Sequence, residues 1–344
     1  MENKSIIRLF VWACVLVTLL TTVVSAIEPI PEESGLSGFL NLGAAYMKAE
    51  TNMVKGTKVF TVGDDRIDSI YSGPDSESTV TPLLNGDIRY TFAKSRTQLY
   101  FGNQLEDFLR FDYSTLLGIR QEFSNESIGA ISYVTTGIAT EVWKDPYVAN
   151  AKRDETDRTA NGIRLELDKA AGTMFGFQYQ FRNIEIDDEL SGTLGGLGLT
   201  PGQISRLDRE GKHHRGEVNY TWLLGGGHAL IPALRYARHD LDGDAMAFDR
   251  YAFMLSYAYR AQKYSLVANA SVGTQEHDKT NPIYGKTQDD DTYGVGLTTF
   301  LHEPFGLSKA YSLVGTLAYY ETDSNISFYD GSVLLAGTSL FYRF

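Results

Sequence analysis

Charged side chains recur inside stretches that otherwise alternate apolar and polar residues. They are Arg89, Arg120 with Glu122, Arg164 with Glu166, Arg182, Arg215 with Glu217, Arg235, Arg250 and Arg260. A spacing of two puts both members of a pair on the same face of a strand. Isolated charges do not survive in a dry interior, so a face carrying these residues is either wet or densely paired. The chemistry on offer is electrostatic. Arginines lining an aqueous path bias it toward small anionic or polar solutes. Pairing of Arg with Glu on neighbouring strands would stiffen the wall without excluding such a path.

Covalent chemistry has weaker support. The histidines are His213, His214, His228, His239, His277 and His302, and no serine stands beside one in a recognisable motif. The chain has no G-x-S-x-G, no H-E-x-x-H and no phosphate-binding glycine loop. His213-His214 lacks a partner at zinc-site spacing and reads as surface. The acidic groups Asp64-Asp65 with Asp68, and Asp289 to Asp291, have no ordered ligand spacing and read as solvated loop charge. Glu276 with Asp278 is a rim pair of the kind loops carry without chemistry. The expectation is a non-enzyme with no cofactor and no metal.

The elements that would position the charged face are strands. The cleanest alternation runs Phe175, Phe177, Tyr179, Phe181 against Gly176, Gln178, Gln180, Arg182, and Tyr251 to Tyr259 against Arg250 to Arg260. On a helix these sets would smear around the axis, whereas on a strand they separate onto two faces. Fourteen such segments can be drawn between residues 37 and 344. Their connections alternate long and short. The short set is 93–96, 123–127, 169–172, 224–227, 261–262 and 302–308. The long set includes 50–79, 142–158, 187–213 and 275–290. Short periplasmic turns opposite longer extracellular loops are the outer-membrane pattern, and an even count returns both ends to the periplasmic side. The expected fold is all-β: a transmembrane, antiparallel, up-and-down barrel of about fourteen strands. The apolar, Gly-rich part of 187–213 is a candidate to fold into the mouth. No plug is expected from the short lead at 27–36.

The two ends of the chain agree with this. Lys4 and Arg8 precede an apolar run from Leu9 to Val24, and Val24-Ser25-Ala26 offers a cleavage site. That pattern reads as a secretory signal peptide over 1–26, ahead of the lead and a barrel over 37–344. Cys14, the one cysteine, falls within the signal, so disulfide and thiolate chemistry are not expected. In the last segment Gly337, Leu340, Tyr342 and Phe344 resemble the terminal signal of Gram-negative outer-membrane proteins, which implies delivery to the barrel-assembly machinery. The net charge of −12, without a basic cluster, argues against nucleic acid as a partner. The expected surroundings are outer-membrane lipids and lipopolysaccharide, with small solutes inside. A monomer is favoured, because no apolar interface separates from the lipid face.

Several strings carry a family resemblance. They are E-V-W-K-D-P-Y at Glu141–Tyr147, T-D-R-T-A-N-G-I-R-L at Thr156–Leu165 and E-L-S-G at Glu189–Gly192. Others are T-N-P-I-Y at Thr280–Tyr284, E-P-F-G at Glu303–Gly306, N-I-S-F-Y-D at Asn325–Asp330 and S-G-L-S-G at Ser34–Gly38. Together they resemble a bacterial domain-of-unknown-function family, number 2860, over nearly all the mature chain. The resemblance implies a Gram-negative envelope protein and transfers no functional residue. The reading reached is a passive outer-membrane channel for small hydrophilic solutes. The alternatives are a structural or ligand-binding barrel with an occluded lumen, and a carrier of apolar ligands, against which the charged inner face speaks.

Overall fold

The computed structural model describes residues 29–107 and 111–344. The proposed signal peptide, 1–26, lies outside them. The fold is one closed antiparallel barrel of fourteen strands. In chain order these are β1 (Gly35–Glu50), β2 (Ser76–Phe92), β3 (Thr97–Asp107), β4 (Asp112–Glu122) and β5 (Ile128–Ile138). They continue with β6 (Glu155–Asp168), β7 (Phe175–Ile186), β8 (Gly211–Tyr220), β9 (His228–Leu241) and β10 (Phe248–Arg260). The last are β11 (Tyr264–Asn281), β12 (Lys286–His302), β13 (Tyr311–Ser324) and β14 (Gly331–Arg343). Each pairs with its sequence neighbours. β1 closes the ring by pairing with β14, from Phe39 opposite Arg343 to Glu50 opposite Ser332. Closure removes both sheet edges, which lipid would otherwise leave without hydrogen-bond partners.

Alternation sorts the side chains as expected. Leu165, Phe177, Leu234, Phe253, Leu317 and Leu340 lie exposed on the outer face, while Ser132, Arg164, Gln180 and Arg182 are buried on the inner one. Tyr179, Tyr236, Tyr251, Tyr293 and Tyr319 form an outward belt toward the long loops, and Tyr220, Trp222, Tyr264 and Tyr342 form one toward the short turns. Amphipathic rings at both interfaces are what a bilayer selects.

Strand limits differ where the residues rise above the outer belt. β11 and β12 continue to Asn281 and from Lys286, so the loop expected over 275–290 is a tight turn on a projecting hairpin. Its flanks, T-Q-E-H-D-K and K-T-Q-D-D-D, are polar on both faces. Above the membrane neither face has to be apolar, so the period-two signal fades while the strand persists. β2 and β6 likewise start earlier than expected, at Ser76 and Glu155. β1 begins at Gly35 rather than residue 37. The lead before it is pinned to the rim on the side of the short turns. Buried Ile30 donates its N–H to Glu122, Arg96 donates to the Pro31 carbonyl, and the Ser34 hydroxyl accepts the Ala93 N–H.

Candidate functional site

The interior is built in two storeys. The lower is a set of cross-strand rows, because directly opposed residues on consecutive strands point the same way. One row can be followed through the pairings without a break. It runs Arg89, Tyr100, Gly118, Ser132, Arg164, Gln180, Arg215, Ala237, Arg250, Gln275 and Asp290. It therefore brings Arg89, Arg164, Arg215 and Arg250 onto a single inward spiral. The next row toward the periplasm holds Gln98, Arg120, Ala130, Glu166, Gln178, Glu217 and Arg235. Arg164 donates from Nε to Gln180 Oε1 at 2.8 Å, and Arg215 Nη2 donates to the same oxygen at 3.2 Å. Arg120 donates to Gln98 Oε1 at 3.0 Å, Arg235 to Glu217 at 2.6 Å and Arg89 to Asp87 at 2.6 Å. Arg164 and Gln180 are 2% and 0% exposed. At this height side chains fill the space around them.

The row on the extracellular side changes character. Arg182 forks onto Asp112, at 3.0 and 2.5 Å. Its cross-strand neighbour His213 stacks on His239 with ring centroids 4.2 Å apart, His239 stacks on Phe248 at 4.3 Å, and Phe248 meets His277 at 4.9 Å. His213 is thus buried on the inner face, which corrects its reading as a surface residue. His214, one residue on, faces outward against the Tyr179 hydroxyl. Burial follows the parity of the strand, which the spacing of the two histidines alone did not reveal.

Two of the expected wall residues belong to the rim at the short turns. Glu122 pairs with Arg96, and Arg260 ends β10 in solvent. The terminal residues sit as expected on β14. Leu340 and Tyr342 are exposed outward. Gly337 faces in where a Cβ would come within 2.9 Å of the Ala44 carbonyl. Phe344 exchanges backbone hydrogen bonds with Gly38, each 3.1 Å.

The upper storey is a lid. The loop over 51–75 enters the mouth. Its hairpin, Val54–Thr57 with Phe60–Thr61, pairs with a short strand, Thr140–Trp143, that continues β5. Val54, Phe60 and Val62 pack with the inner wall at Ala45, Met47, Ala49, Ala318, Val333 and Leu335. The filling comes from a loop of the barrel and not from the lead, which sits at the opposite rim. A second apolar cluster joins Ile67, Ile70, Tyr147, Leu207, Met246, Ile326 and Phe328 from separate loops. The 187–213 segment contributes Leu197, Leu199 and Leu207 to this roof.

Buried polar groups rivet the roof together. Arg153, 1% exposed, donates to the carbonyls of Asn52 (2.8 Å), Pro146 (3.2 Å) and Asp64, with its guanidinium 4.3 Å over the Trp143 ring. Burial pulls its pKa down to about 10, still charged at neutral pH. Asn52 donates to Phe328 O at 3.1 Å. Asp145 accepts four backbone N–H groups, from Tyr147, Gly192, Leu194 and Gly195. Arg209 ties Glu189 to the Trp143 carbonyl, 2.7 Å each. The Tyr147 and Tyr329 hydroxyls meet at 2.7 Å, and Asn281 donates to Tyr329 at 2.7 Å. Burial raises the phenols of Tyr147, Tyr329 and Tyr284, which keeps them neutral. On the hairpin, Lys55 bridges Glu141 and Glu155, and Lys58 bridges Glu141 and Asp157.

Sequence reasoning missed this lid as a site. The available signal was the quoted strings themselves. Glu141–Tyr147, Glu189–Gly192, Thr280–Tyr284 and Asn325–Asp330 lie far apart in the chain, and all converge on the roof. Arg153 and Asn52 lie outside every string and carry no local signature.

At the periplasmic mouth, Ser265 Oγ lies 2.8 Å from His302 Nε2, and Ser312 Oγ lies 2.9 Å from His302 Nδ1. A nucleophile triad would place a carboxylate on the second nitrogen, and here that partner is a hydroxyl. Among the described residues no helix is long and apolar enough to cross a membrane, and no cluster of metal-ligating side chains occurs.

No curated protein matches the chain. Among solved structures, the CymD monoaromatic hydrocarbon channel aligns over 90% of this chain and 88% of its own, at 12% identity and TM-score 0.43. A Pseudomonas aeruginosa FadL homologue aligns over 90% and 89%, at 9% identity and TM-score 0.42. OmpT of Vibrio cholerae, in vitro folded, aligns over 89% and 98%, at 12% identity and TM-score 0.39. These likenesses concern the barrel fold. A family model, "Protein of unknown function (DUF2860)", matches residues 35–343, and the chain belongs to that family.

Proposed function

We propose that this protein is an integral barrel of the Gram-negative outer membrane, a gated passage for small hydrophilic solutes that favours anions. The observation that carries this reading is the inward row that aligns Arg89, Arg164, Arg215 and Arg250. A wall needed only for stability would be served as well by apolar side chains, since buried ionic groups stabilise weakly against apolar replacements. The lid is the gate, and a solute passes when the 51–75 loop and the roof give way. Lipids and lipopolysaccharide surround the outer face, the protein works as a monomer, and β14 with Gly337, Leu340, Tyr342 and Phe344 is the handle for assembly.

Single-channel recording in planar bilayers across a salt gradient tests this. The native barrel is expected to be mostly closed. A lid-loosened variant, Arg153→Ala, is expected to open stepwise with a reversal potential on the anion side, and Arg164→Gln with Arg215→Gln should reduce that preference. Folded, heat-modifiable protein that stays silent in both forms would overturn the passage. A second reading, a permanently closed structural barrel, is favoured by the near-complete burial of Arg164, Gln180 and Arg182, and silence in both forms would select it.

A further inference from the structure

The periplasmic mouth is uneven. Under β2 to β4 the lead fills it, with Ile30 buried and Glu122 paired to Arg96. Under β10 to β14 the rim residues Arg260, Lys263 and Arg343 stand exposed. There His302, the last residue of β12, stands between two serine hydroxyls, Ser265 on β11 and Ser312 on β13. Arg260 is the cross-strand partner of Ser265, and Phe341, the cross-strand partner of Ser312, lies under the Arg343 guanidinium. Both arginines are exposed, and among the described residues neither stands in an ion pair. Glu303, next in sequence to His302, is an exposed acidic group at the same corner. The chain's own C-terminal residue turns away to β1, where Phe344 O accepts the Gly38 N–H. The floor is aromatic. Phe300 stacks on the His302 ring, Phe341 meets Phe300 edge-on at 6.0 Å, and the Arg343 guanidinium lies 5.7 Å over Phe341.

A neutral His302 donates to one serine and accepts from the other, which leaves one serine O–H and two guanidiniums in this corner as donors for an outside acceptor. Guanidinium forks and hydroxyls match the oxygens of phosphate and carboxylate, and these charge-assisted bonds are the strong ones. We propose that this corner is a binding station for a small soluble oxyanion, a phosphate- or carboxylate-bearing solute arriving from the periplasm. Parity places Ser265, His302, Ser312 and Arg343 on the inner face, so the station opens to the lumen rather than to lipid. The site stands on the mouth alone and holds whether or not the barrel conducts, so silence in the bilayer leaves it intact.

The test uses the folded barrel in nanodiscs of zwitterionic lipid, labelled at histidine. The His302 imidazole resonances, assigned with His302→Asn, are followed while inorganic phosphate is added, with chloride as the control. Phosphate is expected to shift them saturably and chloride to leave them in place. Arg260→Gln with Arg343→Gln should raise the half-saturating concentration by about tenfold or more, the loss expected for charge-assisted hydrogen bonds. If that pair fails to fold, Arg260→Lys serves, with a smaller weakening in the same direction. A shift no larger than chloride's overturns the site, as does unchanged saturation in the arginine variants. A bound-state shift in nanodiscs of anionic phospholipid before any phosphate is added would assign the corner to lipid headgroups and overturn the soluble ligand.

Discussion

The middle of the barrel and its extracellular mouth are closed by opposite kinds of contact. In the wall, polar side chains meet residues directly across from them, as Arg164 meets Gln180 and Glu217 meets Arg235. Those contacts follow from register, and register follows from the hydrophobic outer face, because a slip of one residue would turn every arginine into the lipid. In the lid, the contacts join loops that no register relates. Arg153 reaches Asn52, Asn52 reaches Phe328, and Tyr147 reaches Tyr329. The wall is therefore inseparable from the barrel, while the lid can fail with the barrel intact. Segments that open alone come from such loop assemblies. That separation is what a gate requires.

The sharpest break of this comparison should come from Arg182→Met. It leaves Asp112 as an uncompensated buried charge, at a cost of roughly 3–5 kcal/mol. The loss should appear in global urea unfolding of the barrel. An unchanged midpoint would mean that the Arg182–Asp112 pair belongs to the lid rather than the wall.

Arg153→Ala ranks next. It strands three backbone carbonyls and the Trp143 face, but the loosened loops can turn those carbonyls to water, which holds the cost to about 1–3 kcal/mol in all. The expected readout is local. External protease should cut the 51–75 and 144–154 segments far faster, while urea unfolding and heat-modifiable mobility stay native. A coupled fall in both would unite the two storeys and undo the distinction.

Tyr329→Phe should act in the same place and more weakly. It removes one hydroxyl that serves Tyr147 and Asn281, worth about 1 kcal/mol. Protease protection of the roof should fall several-fold, and Tyr147→Phe should add little in the double variant because the two share one bond.

The smallest effect belongs to the hairpin's lysines. Lys58 is exposed, so Lys58→Ala should change loop protection by less than about threefold, an effect that high salt erases. Its pH dependence has a definite sign. Hydrogen bonds to Asp157 and Glu141 raise the Lys58 ammonium above the usual lysine value, and the Lys55 ammonium is also raised, its bonds to Glu155 and Glu141 outweighing burial. A raised cation contributes fully below the ordinary lysine pKa and is lost as pH climbs through the raised value. Loop protection should therefore be flat across neutral pH, decline under strongly alkaline conditions as the lysines lose their protons, and decline in acid as Glu155, which its hydrogen bond with Lys55 holds below the usual glutamate value, is protonated. A decline near neutrality would assign the clamp to other groups.

Alternation of Phe175 to Arg182 and of Arg250 to Arg260 determines strands with one apolar face, and the rhythm of turns determines an even, closed barrel. The inward placement of Arg89, Arg164, Arg215 and Arg250 follows from parity alone. Their assembly into one spiral does not, because that depends on how far each strand is staggered against the next. The projecting β11–β12 hairpin was masked by residues that are polar on both faces. The lid was beyond reach for a different reason. Ile67, Leu207, Met246 and Phe328 follow no period, and Arg153 looks like any loop arginine. A period reports on a face only where the backbone is regular. In irregular loops burial is decided by which distant segment folds over which, and that was settled only by tertiary structure.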